Sequence, residues 1–92
     1  MTVLWTEDGI ASLTQIAAYL EQFSADNASR TLLRIADRLE SVDLMPLQGR
    51  IVPEFEVREV REVILRPYRI WYHVVAGDVE VLAIFHGAQD TR

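Results

Sequence analysis

The stretch from Tyr68 to Val75 holds the side chains with the most chemistry to offer. If it is a strand, alternation puts Tyr68, Ile70, Tyr72 and Val74 on one face and Arg69, Trp71, His73 and Val75 on the other. A guanidinium, an indole and an imidazole on one side can bind an acidic group, stack on a base or anchor a partner side chain. The plainer reading of the same pattern has Trp71 capping the core and Arg69 paired with an acid such as Glu59 or Glu62. His86 closes the next apolar run in His86-Gly87-Ala88-Gln89-Asp90, where an imidazole at a strand end could serve as acid or base. No Ser/His/Asp, Cys/His or paired-His spacing accompanies it, and the single glycine of Gln48-Gly49-Arg50 makes no phosphate-binding loop. Many of the acids have an arginine nearby in sequence, which argues against a two-carboxylate hydrolytic site.

Charge narrows the classes further. The chain of 92 residues has a net charge of −5, and all nine of its cations are arginine. Nucleic-acid binding rests on cations displacing phosphate counterions, so the whole surface is a poor polyanion binder. Locally the balance differs: residues 50–69 carry five Arg against four acids, whereas residues 1–49 carry three Arg against seven acids. Cysteine is absent, which excludes disulfides and thiolate metal sites and suits a reducing cytosol. His73 and His86 are too few for a metal site, so neither metal nor cofactor is expected. The first residues, Met1 to Ala11, hold two acids and no basic run, unlike a signal peptide. No apolar stretch reaches the roughly 20 residues that span a bilayer. A cytoplasmic protein with no membrane association is the expectation.

The elements that would position these residues follow from periodicity. Val3 to Thr6 reads as a short strand, and Thr6 followed by Glu7 and Asp8 is a helix N-cap signal. Ile10, Leu13, Ile16, Ala17 and Leu20 recur at helical spacing to about Phe23. Ser24 caps a second helix whose stripe is Ala28, Leu32, Ile35, Leu39 and Val42, with Arg30, Arg34, Asp37, Arg38 and Glu40 on a solvated face. The short connection favours an antiparallel helical hairpin. The pattern changes at Pro46, and Gln48-Gly49-Arg50 reads as a loop. Three strands are expected at about Val57 to Leu65, Tyr68 to Val75 and Val79 to His86, joined closely enough to form an antiparallel meander. The fold class is α+β: one domain over residues 1–92, with an N-terminal strand and a helical hairpin packed on an antiparallel β-meander sheet.

Four fragments then resemble the RelE/ParE toxins of bacterial type II toxin-antitoxin systems. Pro46-Leu47-Gln48-Gly49-Arg50-Ile51-Val52-Pro53-Glu54 is similar to the family's loop after the second helix. Val60-Arg61-Glu62 resembles its Arg-Glu pair, Tyr68-Arg69-Ile70-Trp71-Tyr72 its central strand, and His86-Gly87-Ala88-Gln89-Asp90 its ending. The resemblance covers nearly the whole chain and is nearer the ParE branch. It implies a toxin that targets DNA gyrase and is neutralised by a cognate ParD-like antitoxin in a hetero-oligomer, touching DNA only through that antitoxin. The alternatives on the same fold are a RelE-like ribosome-dependent mRNA endonuclease and a non-toxic antitoxin-binding module. Arg61, Arg69 and His86 are the residues that would carry nuclease chemistry. Against it, Ala88 and Gln89 stand where such nucleases usually have further basic or tyrosine residues. Arg50, Arg58, Arg61, Arg69, Trp71 and His73 are the candidates for contact with target or antitoxin.

Overall fold

Thr6 begins the first helix as its residue types require: its side chain accepts a hydrogen bond from Gly9 N at 3.0 Å, with Glu7 and Asp8 in the first turn. The computed structural model describes residues 2–55 and 58–87, and in it strand β1 (Val3–Trp5) leads into helix α1 (Glu7–Glu21). Ser24 caps α2 (Ala25–Leu44) by accepting from Asn27 N at 3.1 Å. Four strands follow: β2 (Arg50–Ile51), β3 (Arg61–Leu65), β4 (Tyr68–Val75) and β5 (Asp78–His86). Their order in the sheet is β1-β5-β4-β3-β2. The expected meander β3-β4-β5 is antiparallel, β2 extends it antiparallel, and β1 joins the far edge parallel to β5.

The core lies between this sheet and the hairpin. Ile35, Leu39 and Val42 of α2 meet Val63, Tyr68, Ile70, Tyr72, Val79, Val81 and Ile84 of the sheet. In β5 the inward residues change phase, from Val79 and Val81 to Ile84. The pairing explains it: Trp71 faces Ala83 but Tyr72 faces Val81, so Leu82 is the extra residue of a bulge. In α1 the sheet-facing line runs through Gly9, Leu13 and Ile16, and Ile10 is exposed rather than inward. A Cβ at Gly9 would stand 2.5 Å from Val81 O, so the glycine lets the helix start press against β5 and turns Ile10 away. In α2 the buried stripe takes Thr31 in place of Leu32, which lies on its flank.

Two boundaries depart from the sequence reading. The first strand of the meander starts at Arg61, with residues 58–60 outside it and Val57 outside the described residues. Strand-forming composition runs further back, but β3 pairs with β4 only as far as Arg61 opposite Tyr72. The expected loop at Arg50 is instead a two-residue strand opposite Glu62 and Arg61. It is brought there by Gly49, where a Cβ would lie 2.8 Å from both Glu62 O and Tyr72 Oη. Gly49→Ala is therefore expected to cost about 1–3 kcal/mol through overpacking, measured as a lower urea midpoint at unchanged slope.

Candidate functional site

Alternation puts Glu62 of β3 on the sheet face turned away from the helices, with Arg50 and Trp71 directly across from it on the strands to either side. Arg69 lies two residues before Trp71 on β4 and shares its face. The four side chains form one cluster: Arg50 Nε donates to Glu62 Oε1 at 3.0 Å, while Arg69 Nε at 2.7 Å and Trp71 Nε1 at 2.8 Å donate to Oε2. The Glu62 side chain is 3% exposed. Burial alone pushes its carboxyl up, but hydrogen bonds from Trp71, Arg69 and Arg50 outweigh that and hold it below the usual carboxylate range. Trp71 is flanked by Phe55 and Phe85, with ring centroids at 5.3 and 4.7 Å in edge-to-face contact. Further along, His73 Nε2 lies 2.7 Å from Glu80 Oε1, an N–H to carboxylate hydrogen bond.

The other face of β3 and β4 holds the loop after α2. Tyr72 Oη donates to Pro46 O at 2.6 Å and accepts from Gly49 N at 3.0 Å. Burial raises the Tyr72 phenol above its usual range, the Gly49 hydrogen bond offsetting part of this. Arg61 donates through one nitrogen to Leu47 O at 2.9 Å and Gly49 O at 2.8 Å, and it pairs with Glu59. Three of the four fragments read from the sequence thus meet in one network. Pro46, Gly49 and Arg50 are held by Arg61, Glu62 and Tyr72, and Glu62 in turn holds Arg69.

The six binding candidates fall into groups. Arg50, Arg69 and Trp71 converge on Glu62; His73 shares their face beside Glu80; Arg61 is turned to the loop; and Arg58 is exposed just before β3. Of the plainer expectation, the Arg69–Glu62 pair is present, whereas Trp71 stands on the face away from the helices instead of capping the core there. His86 stacks edge-on against Tyr68 with centroids 5.7 Å apart, and Ala88, Gln89 and Asp90 lie outside the described residues. His86 and Tyr68 border a cleft of about 610 Å³ between the hairpin and the Pro67 end of the sheet. Sequence reasoning missed Glu62 as the centre of the cluster. It also missed Arg34 and Arg38, placed on a solvated face but donating to the carbonyls of Arg66 in the turn after β3 (3.0 Å) and of Ile64 in β3 (3.3 Å). Their place beside Ile35 and Leu39 of the buried stripe was the available signal. Among the described residues no three His, Cys, Asp or Glu side chains group as metal ligands, and no helix is long and apolar enough to cross a membrane.

A helical hairpin on one side of a five-stranded sheet, with these motifs knitted together across it, defines a RelE/ParE-type toxin domain. The family model described as the ParE toxin of the type II toxin-antitoxin system parDE matches residues 3–91, and the chain belongs to that family. It is 37% identical over 87 residues to Toxin RelE2 of Caulobacter vibrioides, covering 95% of this chain and 96% of that one. It is 32% identical over 89 residues to Y4kP of Sinorhizobium fredii, covering 95% and 88%. A solved structure of the chromosomal ParDE TA system from P. aeruginosa shares the fold, with a TM-score of 0.74 and 24% identity over 94% of this chain and 95% of that one.

Because its folded pKa is depressed, Glu62 contributes stability that is complete above its unfolded value and is lost as pH falls through the lower folded value. Glu62→Gln should flatten the wild-type loss of stability below about pH 4.5. Glu62→Ala should cost about 2–4 kcal/mol at neutral pH, because the indole N–H and a largely buried guanidinium lose their acceptor. Denaturant melts across pH 3–7 read both effects.

Proposed function

We propose that this toxin arrests growth by binding DNA gyrase, without a hydrolytic site of its own, and that a cognate ParD-like antitoxin encoded beside it holds it inactive in the cytoplasm. The observation that supports this most is the scatter of the nuclease candidates. Arg61 lies opposite Tyr72 and His86 opposite Tyr68, four residues apart on β4, or about 13 Å along the strand. Arg69 projects from the face opposite to both, with its Nε on Glu62. In-line cleavage of RNA needs a proton shuttle and charge stabilisation around one phosphate, and these three do not supply them together.

The cleft beside His86 supports the antitoxin part of the reading. Its floor includes Ile16, Leu20 and Ile84, its rim includes Arg34 and His86, and among the described residues no carboxylate lines it in a chain of net charge −5. An amphipathic antitoxin helix with acidic flanks fits such a cleft and would fold on binding. DNA would then be reached only through the antitoxin, in a hetero-oligomer.

The RelE2 name of the relative at 37% identity keeps the endonuclease reading as the alternative to be tested. Expression of the chain alone in a bacterium, followed by supercoiling and messenger-RNA assays with the purified product, separates the two. The expected result is growth arrest with loss of supercoiling and intact RNA. Codon-register cuts with normal supercoiling would replace the gyrase reading with the RelE-like one, and unimpaired growth would leave a non-toxic antitoxin-binding module.

A further inference from the structure

We infer that the sheet face turned away from the helices is the surface that meets the toxin's target. Its occupant is a protein surface offering an apolar side chain to Phe55, Trp71 and Phe85 and a carboxylate to Arg50. The inference rests on the reading of this chain as a toxin with a protein target, and it assigns that target a face and a chemistry.

Three observations carry it. The aromatic rings form a continuous edge-to-face row, and Phe55 is 37% exposed although it touches Trp71. Such rings offer large apolar area with few rotamers to immobilise, the composition of interface hot spots. Arg50 stands beside the row with 57% of its side chain exposed, and its Nε contact to Glu62 fixes where its outer nitrogens point. Charge is the third: Glu62 is buried and shared between Arg50 and Arg69, so the half-exposed Arg50 guanidinium is the charge that this part of the cluster turns outward. A partner carboxylate is therefore favoured in register and on approach.

The same charges select a protein over a nucleic acid. Glu62 compensates one of the two guanidinium charges it binds, and Glu80, 32% exposed, adds a negative group at the His73 end of the face. Little net charge remains to displace counterions from a phosphate backbone.

The test uses the full chain induced from a titratable promoter, in wild-type form and as Arg50→Gln, Phe55→Ser and the double variant. Leu33→Ser on the exposed side of α2 is the control, expected to match wild type. The face variants should need at least tenfold more toxin for growth arrest and for half-inhibition of supercoiling by purified gyrase, while still co-purifying with the antitoxin. Arg50→Lys, which keeps the charge, should recover part of the loss. Growth arrest judges the face and supercoiling judges the gyrase reading, so the two can fail separately. Growth arrest by the double variant at wild-type toxin levels would overturn the inference. So would a wild type that cleaves RNA and loses that cleavage with the same substitutions, since the occupant would then be nucleic acid.

Discussion

Ionised Glu62 sits on a sheet face with almost no water access, and a buried carboxylate is tolerated only when donors replace its solvent. Its two oxygens take three, one from β2 and two from β4, on either side of its own strand. A strand as short as β2 has little pairing of its own to keep it in place. The Arg50 contact adds a charge-assisted hydrogen bond to that pairing, and the Trp71 contact fixes the indole around which Phe55 and Phe85 gather. The position of the aromatic row, exposed at Phe55, thus traces to the carboxylate that holds its central indole.

Immediately behind Glu62, on the core side, Tyr72 and Arg61 do for the loop what Glu62 does for the outer face. The turn after α2 presents carbonyls and an amide that no regular element satisfies, and a buried phenol and a guanidinium supply partners for Pro46, Leu47 and Gly49. Two arginines that look reactive in the sequence are therefore bound up in architecture. A protein of this size has few residues to divide between holding and acting. Here the Arg-rich segment is first a clasp between the helical layer and the sheet, and only its outward remainder is available to a partner.

The two sides of the sheet consequently differ in character. The helical side ends in a cleft that presents a guanidinium, an imidazole and, among the described residues, no carboxylate, suited to a segment that folds as it docks. The opposite side is pre-ordered and suited to a rigid surface. Between them, Arg38 donates to the Ile64 carbonyl of β3 beyond the reach of β2 and Arg34 to the Arg66 carbonyl in the turn that follows, which blunts an edge that would otherwise invite strand addition.

Periodicity and capping, both local properties, determined the order of elements, the helical hairpin, the helix caps at Thr6 and Ser24 and the three strands of the meander. The fragments around Pro46, Arg61, Tyr68 and His86 were enough to mark the toxin family. Tertiary structure alone decided that Glu62 gathers Arg50, Arg69 and Trp71, that Arg61 faces the loop, and that Arg61, Arg69 and His86 stay apart. It also decided where β3 begins, the parallel pairing of β1 and the burial of Gly9 and Gly49. Each of these depends on which strand lies next to which and in what register, and on how closely two backbones approach. Register and approach are set by contacts between residues far apart in the chain, such as Thr6 with Val81 and Gly49 with Tyr72, which no local pattern encodes.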